Sequence, residues 1–358
     1  MTKTLIAMSG GVDSSVAAWL LKEKGHDCAG AMMKLYDSGD VSQSRGCCSL
    51  DDVEDARAVA FRLNMPFYVF NFTDIFTEQV IDRFAAAYQN GFTPNPCIDC
   101  NRYMKFERFL HRAEELEQDY IATGHYARIT QYGRRYLLRK AADTSKDQSY
   151  VLYMMTQEHL ARTLFPLGGL EKSEVREIAQ QHGFINAKKR DSQDICFAPD
   201  GDYAGFIERH TGKSPEKGRF VDVHGNTLGQ HKGIIHYTIG QRRGLGISAE
   251  QPLYVCDVCP QSNTVVVGRQ ENLYAKTLFA RDINLIAVDR LDGPLKLRAK
   301  IRYRQQEQPA TVRQIEDDVL QVEFDAPQRA ITKGQAVVLY DGDVVVGGGT
   351  ISGYKLTE

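Results

Sequence analysis

Several features are absent from this 358-residue sequence, and each absence excludes a class of protein. No apolar run approaches the roughly 20 residues that a membrane-spanning helix requires. Residues 1–4 lead directly into a predicted core strand, so we expect no signal peptide and a cytoplasmic location. Neither sign of charge dominates, because 44 basic and 46 acidic residues give a formal net charge of −2. Any surface for nucleic acid must therefore be a local patch.

The stretch Leu5–Ser15 predicts a strand, a tight glycine turn and the start of a helix. Glycines let a backbone approach an anion, and the first amides of a helix point towards it. The stretch has neither the Gly-Lys-Ser/Thr of a Walker loop nor the G-x-G-x-x-G of a dinucleotide site. It predicts a loop that holds phosphate, and the alternative is an ordinary turn capped by Ser or Asp.

The motif Ser9-Gly-Gly-Val-Asp-Ser14 resembles the PP-loop of the N-type ATP pyrophosphatases. The resemblance implies that ATP is cleaved between its α and β phosphates and that the adenylate passes to a carbonyl oxygen. GMP synthetase, asparagine synthetase, argininosuccinate synthetase and tRNA thiolases all belong to this superfamily. The motif therefore indicates the chemistry and leaves the substrate open.

The pattern of strands and helices predicts an α/β fold with a doubly wound parallel sheet. In such sheets ligands bind beyond the carboxyl ends of the strands, where Ser9–Ser15, Met33-Lys34 and Gly124-His125 all fall. Further strands are predicted at 28–33, 67–72 and 120–123, and a hairpin at 126–140 turns at Tyr132-Gly133. Helices are predicted at 50–63 (headed by an approximate capping box, Ser49–Asp52), 75–88, 103–116 and 173–182, the last headed by Ser173 and Glu174.

Near Phe197 the sequence pattern changes: glycines, turn dipeptides and short alternating runs become frequent, and they predict β structure. A second break near 271–276 precedes a tail with the size and strand spacing of a small barrel. We therefore predict three domains: an ATP-binding catalytic domain at 1–197, a β-rich central domain at 198–273, and a C-terminal β-barrel at 274–358 that contacts RNA.

Five cations alternate with apolar residues in the tail and predict a basic strand. Period two places them on one face, where like charges repel and favour a polyanionic partner. The alternative is a solvated face screened by acidic neighbours. The cations are Lys296, Arg298, Lys300, Arg302 and Arg304.

The eight cysteines favour metal binding or catalysis over a disulfide framework. A proline-stiffened loop at 94–101 leads into a predicted helix, so Cys100 is expected near a helix N-terminus that favours thiolate. Cys196 stands at the predicted domain boundary. A buried structural thiol, or a zinc site shared by two Cys-x-x-Cys pairs, is the alternative. The cysteines are Cys28, Cys47, Cys48, Cys97, Cys100, Cys196, Cys256 and Cys259.

The whole chain resembles the bacterial tRNA-specific 2-thiouridylases, which place sulfur on the wobble uridine of tRNA. Eight motifs along the sequence carry this resemblance: SGGVDSS, TPNPCIDCNRYMKF, ATGHYAR, KDQSYVLY, DSQDICF, YTIGQRRGLG, RYRQ and GGGTISGY.

The resemblance implies a set of site residues and partners. Cys100 matches the family's nucleophile and Cys196 its persulfide cysteine. ATP, with Mg²⁺, would be held by Ala7, Met8, Ser9, Gly10, Gly11, Val12, Asp13, Ser14, Met33 and Gly124. The anticodon stem-loop of tRNA would be contacted by Asn95, Pro96, Cys97, His125, Lys146, Asp147, Gln148, Arg302, Tyr303 and Gln335.

The implied chemistry uses ATP to adenylate the 2-oxo oxygen of a flipped-out uracil, which is otherwise a poor leaving group. A persulfide sulfur on Cys196, delivered by a cysteine desulfurase or sulfur relay protein, then replaces that oxygen. The sulfur attacks directly, or as sulfide released when Cys100 attacks the persulfide. AMP leaves, and a reductant restores the thiols.

Cys97 departs from the family pattern, because many members have Asp at this position. That carboxylate is a candidate acid or base, and here Asp99 is displaced by two positions. Cys97, Cys100 and Cys196 would alternatively hold a 4Fe-4S cluster with one open iron.

Two other functions are kept as alternatives. One is a PP-loop ligase or amidotransferase for a small-molecule carbonyl, although no glutaminase segment is recognisable. The other is an RNA-binding protein with a relict ATP loop, which the intact motif disfavours.

Overall fold

The computed structural model describes residues 1–36, 50–189 and 195–356, and the chain divides into two compact units. The first comprises Met1–Val80, Pro96–Gly201 and Asp343–Val345, and the second comprises Ile81–Asn95, Asp202–Gly342 and the residues from Val346 onward. In the described ranges, no helix combines the length and the apolarity that a membrane crossing demands.

A five-stranded parallel sheet forms the centre of the first unit. Its strands are β1 (Lys3–Ala7), β2 (Asp27–Lys34), β3 (Phe67–Asn71), β4 (Tyr120–Ala122) and β7 (Thr163–Leu164). They lie in the order β3-β2-β1-β4-β7, and all neighbours run parallel. Leu5 and Ile6 of the central strand are fully buried, and each such side chain contributes about 1.5–3 kcal/mol. The predicted doubly wound α/β fold is confirmed.

Helices precede or follow each strand of this sheet. They are α1 (Val12–Glu23), α2 (Leu50–Arg62), α3 (Thr73–Phe76), α5 (Pro96–Asp99), α6 (Phe109–Glu115), α7 (Gln157–Ala161) and α8 (Lys172–Gln181), with a 3₁₀ turn at Ser149–Leu152. Two π-helical segments, Thr77–Asp82 and Cys100–Arg108, continue α3 and α5 without a break in the helical path.

The predicted hairpin is present as β5 (Arg128–Tyr132) and β6 (Arg135–Arg139). Gly133 takes a positive φ of 59° in its turn, as the Tyr-Gly pair predicts. Asp343 joins this unit by pairing with the guanidinium groups of Arg128 and Arg139, at 3.0 and 2.7 Å.

The second unit contains α4 (Arg83–Gln89), α9 (Tyr203–Thr211) and two β structures. A four-stranded sheet has the order β10-β11-β8-β9, with β8 (Gly218–Val221), β9 (Thr227–His231), β10 (Tyr254–Cys259) and β11 (Thr264–Gly268). Short 3₁₀ turns lie at Ile234–His236, Pro260–Ser262 and Gln270–Leu273.

Six strands of the second unit close into the predicted C-terminal barrel. The order is β12-β15-β14-β13-β16-β17, and β17 pairs back with β12. Closure leaves no unpaired sheet edge and surrounds a core of aliphatic side chains. The strands are β12 (Tyr274–Leu285), β13 (Leu295–Lys300), β14 (Gln308–Glu316), β15 (Val319–Arg329), β16 (Ala336–Asp341) and β17 (Val344–Leu356).

Two local predictions need correction. Helix α9 lies inside the region predicted as β, although Asp202 caps its start and Gly212, at a φ of 65°, ends it. The N-cap residue of helix α8 is Glu171, whose backbone amide donates to the Glu174 carboxylate at 2.7 Å, and the helix starts at Lys172, before Ser173. Ser49 lies outside the described residues, so the predicted cap of α2 stays a prediction.

Candidate active site

The loop between β1 and α1 reaches the helix at Gly11, the residue before its first turn. Among the described residues, no side-chain cap is present at this helix start. The hydroxyls of Ser14 and Ser15 donate instead to the carbonyl oxygen of Gly11, at 3.0 and 3.1 Å. A cap by Ser or Asp, which the alternative predicts, is therefore wrong, and the binding of phosphate at the first amides of α1 stays a prediction.

Two glycines allow close backbone packing around this loop. A Cβ on Gly10, whose φ is 71°, would lie 2.4 Å from the carbonyl oxygen of Asp52. A Cβ on Gly124 would lie 2.9 Å from the amide nitrogen of Ser14. Gly124 follows β4, which neighbours β1, so the structure brings two of the predicted ATP-binding segments into direct contact. Met33, half-buried, lies near the end of the other neighbouring strand, β2.

A lysine far along the chain neutralises Asp13. The ammonium nitrogen of Lys172 lies 2.6 and 2.8 Å from the two carboxylate oxygens, and the Tyr126 hydroxyl donates to one of them at 2.9 Å. The side chain of Lys172 is 10% exposed and that of Asp13 is 30% exposed. The backbone amide of Lys172 donates to the Asp143 carboxylate at 3.0 Å. This contact places a positive charge in the first turn of α1, where the sequence shows no lysine.

Two further side chains donate hydrogen bonds to the loop. The Asn186 amide donates to the Gly10 carbonyl oxygen at 3.0 Å and to the Ser15 hydroxyl at 2.9 Å. Lys189 donates to the same carbonyl oxygen at 3.2 Å, and it contacts Asp52 and Asp55 at 2.6 Å each. Burial acts to lower the pKa of Lys189, but the hydrogen bonds to the two carboxylates outweigh burial and raise it.

The helix that carries Cys97 and Cys100 starts earlier than the sequence predicts. Pro96 is its first residue, a position that proline favours, so Cys97 lies in the first turn. Cys100 lies beyond that turn, at the start of the π-helical segment. Because the effect of the helix dipole fades within one turn, the dipole favours thiolate at Cys97, and the prediction that it does so at Cys100 needs correction. Asn101 ties the segment to the Val151 carbonyl oxygen at 2.9 Å.

Cys196 is half-buried and lies beside an aromatic anchor. Phe197 packs edge-on against Phe76 with ring centroids 6.0 Å apart. The preceding residues of its motif, 191–194, lie outside the described residues, as do Cys47 and Cys48. Cys97 is exposed and Cys100 half-buried.

The six cysteines that the structure describes are not part of a group that could hold a metal ion. Within 1–36, 50–189 and 195–356, no three His, Cys, Asp or Glu side chains are grouped to hold a metal ion. These ranges include Cys97, Cys100 and Cys196, as well as Cys256 and Cys259 of β10. Neither the shared zinc site nor the three-thiolate cluster therefore fits the observed placement.

Burial separates the structural thiols from the others. It raises the pKa of both Cys28 and Cys256 to about 11, so roughly one thiol in a thousand is ionised at pH 8. We expect iodoacetamide at pH 8 to label Cys97 while Cys28 and Cys256 react only after denaturation. Peptide mass spectrometry at timed intervals measures this, and labelling of Cys256 as fast as Cys97 would contradict the burial argument.

Several of the residues predicted to contact tRNA also have structural roles. His125 is buried, its imidazole lies 2.7 Å from the Thr123 hydroxyl and 3.4 Å from the Lys105 ammonium group, and burial followed by Lys105 lowers its pKa well below 6.5. Asp147 accepts from the amide of Ala141, and Gln148 from that of Tyr126.

The remaining predicted contacts are divided between the two units. Pro96 is buried, Lys146 and Asn95 are half-buried, and Tyr303 is 37% exposed. Gln335 donates to the carbonyl oxygen of Thr93 at 2.7 Å. Their roles towards tRNA stay predictions.

The basic strand is shorter than predicted. Strand β13 ends at Lys300, with Leu297 and Ala299 buried and Lys296 and Arg298 exposed on the opposite face. Arg302 and Arg304 follow the strand in a turn, so placing all five cations on one strand face is wrong. Arg298 contacts the Glu307 carboxylate at 3.3 Å, which is the screening that the solvated-face alternative expects.

Family models match three consecutive parts of the chain. Residues 2–200 match the tRNA methyl transferase HUP domain, residues 204–269 the tRNA methyl transferase PRC-barrel domain, and residues 275–351 the aminomethyltransferase β-barrel domain. The chain thus has the architecture of a tRNA-modifying HUP-domain protein. The boundaries predicted at 197 and 273 stay predictions.

Relatives of known name show which family of tRNA-modifying proteins the chain belongs to. The chain is 53% identical over 352 residues to the tRNA-specific 2-thiouridylase MnmA of Clostridioides difficile (strain 630), covering 98% of each chain. It is 52% identical to the enzyme of the same name from Clostridium acetobutylicum, covering 98% of this chain and 99% of that one. This chain belongs to the tRNA-specific 2-thiouridylase family.

Among solved structures, a 4-thiouridine synthetase–RNA complex with bound ATP is similar over 59% of this chain and 50% of that one. The TM-score is 0.36 and the identity 18%.

Proposed function

We propose that this protein uses ATP to replace the 2-oxo oxygen of the wobble uridine of tRNA with sulfur. Membership of the 2-thiouridylase family supports the proposal. The structural observation that carries it is the start of α1, which has no side-chain cap among the described residues and is closely packed against α2 at Gly10 and against the segment after β4 at Gly124. It lies in the unit that also contains Cys97, Cys100 and Cys196. A phosphate site and chemically competent thiols are the two requirements of this reaction.

The phosphates of ATP bind at the amides of the Ser9–Ser15 loop. The helix dipole and the Lys172 ammonium group both favour negative charge there. Asp13 offers the carboxylate oxygens that Mg²⁺ prefers, and Mg²⁺ bound with ATP would neutralise part of the phosphate charge. Lys172 supplies the charge that a Walker loop takes from its own lysine, although it lies 159 residues from Asp13 in sequence.

The reaction then proceeds in three displacements. The uracil 2-oxo oxygen attacks the α-phosphorus of ATP, pyrophosphate leaves, and C2 becomes susceptible to attack. The terminal sulfur of a Cys196 persulfide attacks C2 and expels AMP. The Cys100 thiolate then attacks Sγ of Cys196, which releases the thiolated base and leaves a Cys100–Cys196 disulfide.

This sequence balances electrons without a metal cluster. The persulfide sulfur gains two electrons as it becomes the thione, and two thiols lose them as they form the disulfide. A dithiol reductant restores the thiols, and a persulfide-bearing donor protein such as a cysteine desulfurase reloads Cys196. No step passes through a 4Fe-4S cluster, because in the described residues Cys97, Cys100 and Cys196 are not grouped to hold one.

A thiolation assay tests the proposal. The purified protein is incubated with ATP, sulfide or a persulfide donor, and a tRNA transcript with uridine at the wobble position, and the digested nucleosides are analysed by mass spectrometry. We expect 2-thiouridine only when ATP is present, and none in a matched transcript with cytidine at that position. A methylated nucleoside, or ATP cleavage driven by a small amine in place of tRNA, would contradict the proposal.

A further inference from the structure

The loop at 238–246 of the second unit is a rigid platform for two arginines. The amide of Gly240 donates to the carbonyl oxygen of Val255 at 2.8 Å, and the amide of Val255 donates to the carbonyl oxygen of Gln241 at 2.9 Å. The Gln241 side chain accepts from the amide of Thr238 at 3.0 Å and donates to the carbonyl oxygen of Arg243, also at 3.0 Å. These backbone and side-chain hydrogen bonds hold in place the loop segment that carries Arg242 and Arg243.

Arg302 ties this loop to the barrel. Its guanidinium donates to the carbonyl oxygens of Ile239 and Ala330, at 3.4 and 3.0 Å, and to the Thr332 hydroxyl at 2.6 Å. A Cβ on Gly240, at a φ of 89°, would lie 3.0 Å from Cβ of Ala330, so the loop lies directly on the barrel turn. Arg302 therefore has a positioning role that its place among the tail cations did not suggest.

The two arginines on the loop are exposed, and neither has an acidic partner within the part of the chain that the structure describes. No carboxylate of the described residues forms an ion pair with Arg242 or Arg243, although Glu250 lines the same concave surface as Arg242. In the same unit, by contrast, Arg290 and Arg313 contact carboxylates at 3.7 and 3.6 Å. Adjacent like charges on a fixed loop repel each other, and a polyanion relieves that repulsion.

We propose that Arg242 and Arg243 bind phosphate groups of the tRNA backbone and that Arg302 positions them. The proposal rests on the function proposed above and adds a contact surface to it. Guanidinium groups match phosphate oxygens in a bidentate geometry, and a pre-ordered loop loses little conformational entropy on binding. With a net charge of −2, the protein needs such local patches to hold a polyanion.

The salt dependence of tRNA binding tests this surface. In Arg242→Ala/Arg243→Ala, we expect the log–log salt slope to fall by about 1.4–1.8 and tRNA affinity near 0.1 M salt to drop roughly 25- to 60-fold, since each phosphate contact contributes about 0.7–0.9 to the slope. The matched control is Arg290→Ala/Arg313→Ala, which removes the same charge from exposed arginines. We expect the control to keep the wild-type slope.

Arg302→Lys tests the positioning role with the charge kept. All three bonds come from Nη2, and a lysine ammonium nitrogen lies one bond closer to the backbone than this atom, so we expect this variant to lose the bonds and to lower the slope as well. Added to Arg242→Ala/Arg243→Ala, it should lower the slope no further.

Three outcomes would overturn the inference. In the first, the salt slope of Arg242→Ala/Arg243→Ala is unchanged, and in the second, this variant and the control lose tRNA affinity equally. In the third, Arg242→Ala/Arg243→Ala lowers only the rate of thiolation with a sulfur-donor protein, which would make the loop a protein-docking surface. Failure of the wild-type protein to bind tRNA would instead reject the proposed function.

Discussion

Replacing Asp13 with alanine is expected to lower ATP-dependent tRNA thiolation by roughly a hundredfold to a thousandfold, the usual cost of removing one preorganised polar group at a charged transition state. Asp13 stands in the first turn of α1, and its carboxylate fixes the ammonium group of Lys172 at 2.6 and 2.8 Å. The substitution therefore removes an acidic group and also releases the nearby cation. Binding of tRNA should be largely retained, because RNA affinity comes mainly from contacts to phosphates of the backbone.

Companion variants separate these two effects. If Asp13 and Lys172 act as a unit, Asp13→Ala/Lys172→Met should be little worse than the more damaging single variant. Lys188→Met, which removes an exposed lysine, is the matched control and should have wild-type kinetics. Thiolation is measured by single-turnover product formation, and tRNA binding by filter retention. Equal loss of both in Asp13→Ala would mean that the loop is only structural.

The second large effect is expected at Cys196. Cys196→Ser should form no thiolated tRNA and no Cys100–Cys196 disulfide, because a hydroxyl cannot carry a transferable sulfur. It should still bind ATP and tRNA and release pyrophosphate, since adenylation precedes the attack of sulfur. Adenylated tRNA should then accumulate, and mass spectrometry of the quenched RNA detects it.

Cys256→Ser is the control for loss of a thiol. Burial raises the pKa of the Cys256 thiol to about 11, and its Sγ donates to the Tyr254 carbonyl oxygen at 3.5 Å. A buried thiol of this kind is chemically inert, so thiolation should continue at the wild-type rate. Appreciable thiolation by Cys196→Ser, at sulfide levels too low to react unaided, would assign the sulfur to Cys97 and Cys100.

The sequence predicts the phosphate loop and the parallel sheet well because both depend on local patterns. Apolar runs, glycine turns and amphipathic helices recur in order along the first 180 residues, and strand ends in such sheets share one edge. The residues that complete the loop are different. Lys172, Asn186 and Lys189 reach it from more than 150 positions away, and no local pattern predicts a contact at that separation.

The two wrong predictions, of one long basic strand and of a loop at Pro96, have the same physical cause. Alternation from Lys296 to Arg304 predicts one long strand, but the barrel turns after Lys300 and uses Arg302 to bond carbonyl oxygens. The prolines at 94 and 96 predict a stiff loop, whereas Pro96 is the first residue of a helix. In both cases tertiary packing, which a single sequence does not display, outweighs the local pattern.

The central claim is that ATP activates the uracil 2-oxo oxygen, and an isotope measurement tests it most directly. A tRNA carrying ¹⁸O at position 2 of the wobble uracil is converted with ATP and a sulfur donor, and the AMP is analysed by mass spectrometry. We predict that each AMP gains one ¹⁸O atom for each 2-thiouridine formed, because the oxygen leaves attached to the α-phosphorus. Thiolated tRNA formed together with unlabelled AMP would contradict the account.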